Sequence, residues 1–77
     1  MTKKHFVAIA AIIKTRLDYI AEQMTLEHDN EVMERFVGSR NDAEILARDF
    51  ADYFRTVNAE FDRVRFLTAC GLKGGHY

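Results

Sequence analysis

Seventy-seven residues are enough for one domain with a modest core, and for no more. Apolar residues at 48% and charged residues at 30% place the chain with globular proteins and exclude a disordered segment. A net charge of -1 leaves no global field to draw the protein onto nucleic acid or an acidic membrane, and the single Cys70 rules out an intrachain disulfide. A core this small must then be held by a well-filled helical interior or extended by self-association, and the broad apolar stripe of the first helix is compatible with a homodimer without fixing the oligomeric state.

The charges are unevenly placed. Residues 1–24 carry +2, residues 25–60 carry -5 and residues 61–77 return to +2. There is no proline, and the four glycines fall at Gly38, Gly71, Gly74 and Gly75, so helix breakers sit at one interior point and near the end. The longest apolar run, Phe6 to Ile13, is far too short for a bilayer span. The lone cysteine and the lack of a signal-peptide cleavage pattern lead to an expected cytoplasmic location without a membrane partner.

Thr2 is positioned to cap a first helix over about Lys3 to Met24. Its apolar positions Phe6, Ile9, Ile13, Leu17, Ile20 and Met24 recur every three or four residues, and Lys14 and Asp18 are spaced to pair on its exposed side. After a lapse at Thr25–Asn30, Asp29 or Asn30 caps a short second helix, Glu31 to Val37, with Gly38 as its stop. Asn41 and Glu44 fit a capping box, opening a third helix over Asp42 to Val57. Ile45, Leu46, Phe50, Tyr53, Phe54 and Val57 are its apolar residues, and Glu44, Arg48 and Asp52 form an i,i+4 ladder on a solvated face.

Asn58 to Phe61 reads as a turn. Asp62 then caps a last helix, Arg63 to Cys70, which Gly71 closes. From Leu72 onward the apolar periodicity is too weak for a further element. The single domain is therefore expected over 1–72, with 73–77 as a flexible tail. No strand-period alternation and no internal repeat appears. The predicted fold is all-α, a compact bundle of three to four helices with the first and third as its backbone.

Residues that could carry chemistry are few. His5, His28 and His76 lie in separate segments without a second His or Cys at i+3 or i+4, and Cys70 and His76 are six apart across a glycine-rich stretch, so neither a metal site nor a cofactor is expected. Cys70 ends a helix, where the dipole disfavours a thiolate, and shares the apolar register of Phe66 and Leu67; it reads as a small buried hydrophobe. The pairs Glu31/Glu34 and Asp49/Asp52 imply no cleft, and Gly74-Gly75 follows the last helix instead of opening one, so catalysis is not expected. Nine aromatic rings exceed what a chain of this size encloses. Tyr53 beside Phe54, and Tyr19 beside Ile20, cannot both face one interior, which leaves rings at the surface for protein contacts.

The start Met1-Thr2-Lys3-Lys4-His5-Phe6 and the stretch Phe61-Asp62-Arg63-Val64-Arg65-Phe66-Leu67-Thr68-Ala69-Cys70-Gly71 resemble small bacteriophage and prophage proteins. Those have an M-x-x-x-H-F start, an F-D-x-x-R-F-x-x-A-C-G end and a D-Y-F segment shortly before it, as Asp52-Tyr53-Phe54 provides here. Residues Thr25–Arg40 match nothing in that pattern. The resemblance implies a mobile-element origin, a place in the host cell's cytoplasm, and no particular activity. The signature also reads as packing: Phe61 before the Asp62 cap is placed to staple onto Phe66.

These observations lead to a non-catalytic protein that acts by binding a protein partner. Small phage proteins of this kind include inhibitors of host enzymes and of defence systems such as CRISPR effectors. The candidate partner-binding residues are the acidic Glu27, Asp29, Glu31, Glu34, Asp49 and Asp52 together with Tyr53. The alternative is a small nucleic-acid-binding regulator using Lys3, Lys4, Arg63 and Arg65 at the two ends.

Overall fold

The computed structural model describes residues 3–72 and is built from helices alone among them. Helix α1 spans Lys3–Thr25, α2 spans Asn30–Val57 and α3 spans Arg63–Ala69. Thr2 as a cap for α1, and the tail at 73–77, lie outside the described residues.

Helix α1 runs as the periodicity predicts, burying Ala10, Ile13, Leu17 and Ile20 and holding the Lys14–Asp18 pair at 2.6 Å. At its end the Thr25 hydroxyl donates to the Glu22 carbonyl at 2.6 Å. Asp29 then caps α2, its carboxylate accepting from the Val32 N–H at 2.9 Å. With so short a connection the two helices return antiparallel, and Phe6 near the start of α1 meets Phe54 near the end of α2 at a centroid distance of 4.8 Å.

The expected break at Gly38 does not occur. Helix α2 is continuous through Gly38 and Asn41, so the expected second and third helices are one element of 28 residues and the bundle has three helices among the described residues. Met33, Val37, Arg40, Glu44, Ala47, Ala51 and Phe54 keep a single 4-3-4-3 phase across the glycine. Packing along that line outweighs the roughly 1 kcal/mol that an interior glycine costs a helix. A Cβ at Gly38 would meet nothing within 4 Å, so the glycine serves no close approach. The expected Glu44–Arg48–Asp52 ladder also differs: Glu44 and Arg48 are half-buried, and Asp52 pairs with Arg63 instead.

Asn58 ends α2 with its N–H on the Phe54 carbonyl at 2.9 Å, and its side chain accepts from the Glu60 N–H at 3.0 Å, closing a tight turn. Asp62 caps α3 through the Arg65 N–H at 3.0 Å. The helix closes in a Schellman motif: Leu72 N–H reaches the Leu67 carbonyl at 3.1 Å, Gly71 N–H reaches the Thr68 carbonyl at 3.0 Å, and Gly71 takes φ +93°. That motif returns Leu72 to the core, where it is buried, although its sequence neighbourhood shows no periodicity.

The core lies at the end of the hairpin that α3 covers. Phe54 stands at its centre, packed against Phe6, Phe50, Phe61 and Phe66, with Leu67, Cys70, Ala47 and Ala51 closing around it. The expected Phe61–Phe66 staple is present at 5.6 Å. Beyond the reach of α3 the hairpin is two helices thick, and Val32, Met33, Phe36 and Val37 are only half-buried. The molecule therefore measures 45 × 20 × 18 Å with a radius of gyration of 13.8 Å, against about 11.5 Å for a compact chain of this length.

Phe54→Ala should destabilise the fold by about 3–5 kcal/mol, a large share of the stability of so small a domain. Gly71→Ala should cost about 1–2 kcal/mol because only glycine takes that φ without strain. Urea titrations followed by circular dichroism measure both.

Candidate functional site

An α-helix turns 100° per residue, so each α2 side chain can be placed around the helix relative to the buried line through Ala47. Glu31, Glu34, Asp42, Ile45, Asp49 and Asp52 fall within about 40° of the opposite meridian, forming one ridge along the outer side of α2. Of the expected partner-binding residues, the fold thus gathers Glu31, Glu34, Asp49 and Asp52. Asp42 joins them; its place in the acidic region was visible in the sequence, but its face was not while α2 was read as two helices.

The ridge residues differ in their engagements. Glu31 pairs with Arg35 at 3.0 Å and Asp52 with Arg63 at 2.8 Å, whereas Glu34, Asp42 and Asp49 form no ion pair among the described residues. Asp29 is occupied as the cap of α2, a structural use of its carboxylate, and Glu27 lies exposed in the same connection. Ile45 is 54% exposed in the middle of the ridge, one turn from Asp42 and one from Asp49. Tyr53 is 59% exposed beside the buried Phe54 and stands at the edge of the ridge, and Tyr19 is exposed beside the buried Ile20. Both outcomes follow from neighbouring residues pointing to different sides of a helix.

The four basic residues of the nucleic-acid reading are not brought together as one patch. Lys3 and Arg65 line a shallow open groove of about 370 Å3, but Glu60 and Asp62 line it too, over a floor that includes Phe6 and Phe66. Arg63 turns away to Asp52, its side chain largely covered, and Lys4 is exposed outside the groove. Two cations facing two carboxylates give no concentrated positive field.

Cys70 is completely buried against Phe66 and Leu67, and burial pushes its thiol up to about 11 from an ordinary value of 9.0. His28 rests on Phe36 with ring centroids 5.3 Å apart, and its Nε2 is enclosed without a hydrogen-bond partner among the described residues. His76 lies outside the described residues. Among the described residues no group of three or more His, Cys, Asp or Glu could hold a metal ion, and no helix is long and apolar enough to cross a membrane.

The thiol provides a measurable consequence. Because the folded protein holds the proton more tightly than the unfolded chain, the unfolded state loses protons first as pH rises, and stability should fall between about pH 9 and pH 11. At pH 8 a thiol reagent should modify native Cys70 at least about 100-fold more slowly than the urea-unfolded chain, as followed by absorbance or mass spectrometry. Compared with known proteins, the chain matches no family model, no curated protein and no solved structure.

Proposed function

We propose that the chain is a non-catalytic helical binding protein of the bacteriophage or prophage type, engaging a basic surface of a protein partner with the outer ridge of α2. The observation that carries this reading is Ile45. A branched aliphatic side chain more than half exposed, flanked by Asp42 and Asp49 with no ion pair among the described residues, is an apolar anchor within a charged rim. Burial on a partner removes that side chain from water, while the carboxylates steer the approach and set the register. Carboxylates spaced along one rigid helix suit a surface that otherwise holds a nucleic-acid backbone. Inhibition of a host enzyme or of a defence system such as a CRISPR effector is the finer form of the proposal, in the host cytoplasm where such partners reside.

The nucleic-acid alternative draws less support, since its arginine at 63 is committed to Asp52 and the groove holding Lys3 and Arg65 contains as many acids as bases.

The test is comparative capture from bacterial lysate with the wild-type chain and the Ile45→Arg/Asp42→Lys/Asp49→Lys variant, beside an electrophoretic mobility assay on generic DNA. A partner held by the wild type, released by salt and lost with the variant is expected, with no retention of DNA at micromolar protein and low salt. A partner captured equally by the variant, or DNA retention that fades with salt, would refute the proposal.

A further inference from the structure

Apart from Val7 and Val64, six large apolar side chains outside that ridge are about half or more exposed: Ile12 and Tyr19 on α1, Leu26 just past its end, and Leu46, Tyr53 and Val57 on α2. Their spacing is regular. Ile12, Tyr19 and Leu26 are seven residues apart, and Leu46, Tyr53 and Val57 continue a 4-3-4-3 phase that begins at Val32 and passes through Phe36, Ala43 and Phe50. This phase runs one residue behind the line of α2 that packs on α1. A helix carrying two adjacent heptad lines is shaped to lie between two neighbours, and α2 has only one along most of its length.

The two exposed lines lie on the same side. Viewed from each helix's N-terminus, Ile12 and Tyr19 lie about 100–120° anticlockwise of the buried line through Ile13, and Leu46, Tyr53 and Val57 about 80–120° anticlockwise of the line through Ala47. Because α1 and α2 face each other and run in opposite directions, one rotational sense carries both sets to one face of the hairpin. Helix α3 lies on the other face: Gly71 sits near the Lys14 side chain and Arg63 on Asp52, both clockwise of the buried lines. Among the described residues the chain is thus a bundle with α3 as one layer and nothing on its opposite face.

We propose that a second copy of the chain covers this face, two hairpins packing face to face into a four-helix core with an α3 on each outer side. The dimensions fit. The two larger extents, 45 and 20 Å, give a footprint of about 900 Å2, against about 800 Å2 per partner in a stable interface. The stretch from Val32 to Val57 covers about three and a half heptads, enough for a sustained helical seam. The half-buried tip of the hairpin, around Val32, Met33 and Phe36, gains the third layer that α3 is too short to supply. A second copy carries the same phase and length on the same two-helix frame, and a two-fold axis closes the assembly. The dimer leaves the ridge around Ile45 outward on both copies.

Analytical ultracentrifugation of the full chain from about 1 to 500 μM tests this. The expected result is a species of twice 8.9 kDa whose dissociation is weakened at least about 100-fold in affinity by Ile12→Glu/Leu46→Glu, with helical content retained because both positions are solvent-exposed in the single chain. The control Val64→Glu, on exposed α3 surface, should leave the mass unchanged. A wild-type chain that stays monomeric throughout, or a dimer unaffected by the double substitution, overturns the inference; if the double variant loses its helix signal, the wild-type mass alone decides. The Ile45→Arg/Asp42→Lys/Asp49→Lys variant should remain dimeric, so a failure of partner capture and a failure of self-association are read separately.

Discussion

Everything in this fold converges on the ring of Phe54. Its side chain touches aromatic residues from α1, from the turn and from α3 at once, with Phe6, Phe61 and Phe66 at 4.8, 5.5 and 5.5 Å. Alanines at 47 and 51, both fully buried, let the backbones of the hairpin approach beside it. A helix of seven residues has no independent stability, and α3 exists because Asp62 caps it, Gly71 turns the chain back, and Phe66 and Leu67 bury their side chains against this cluster.

Concentrating the core at one end has consequences along the rest of the molecule. Helix α2 outruns α3, so the tip of the hairpin stands only two helices thick, and the face away from α3 keeps its apolar residues in water. The outer side of α2 has a different character, with carboxylates in a line and one aliphatic side chain among them. Two surfaces of unlike chemistry on one rigid helix suit two unlike partners: apolar seams match other apolar seams, and a charged ridge with an isolated anchor matches a surface of opposite sign. In the proposed arrangement, self-association supplies the missing hydrophobic layer and the ridge carries recognition.

The sequence signature read at the two ends of the chain acquires a physical content in this structure. Phe6 and Phe61 meet at 4.8 Å, Asp62 is a cap, Phe66 and Cys70 are buried and Gly71 holds a positive φ. These positions build the closed end of the bundle. Arg63, whose role was open from sequence, ties α3 to α2 through Asp52. The residues of that signature are thus mainly those that fold the chain, while of the ridge proposed to recognise a partner only Glu31 and Glu34 come from the Thr25–Arg40 stretch outside it.

Local chemistry, written in consecutive residues, determined the helical class, the reach of α1, the caps at Asp29 and Asp62, the stop at Gly71, the burial of Cys70 and the split of Tyr53 from Phe54. Each depends on a side chain and its own few neighbours along the chain. The continuity of α2 was decided by tertiary packing, because Gly38 is a reasonable stop in isolation and is overruled only by α1 lying alongside. The same holds for Leu72, whose place in the core comes from the turn at Gly71. The gathering of Asp42, Ile45 and Asp49 on one ridge, the diversion of Asp52 to Arg63, and the open face opposite α3 likewise required knowing which helix lies against which, since periodicity gives the angle between side chains on one helix but not the side from which a neighbour arrives.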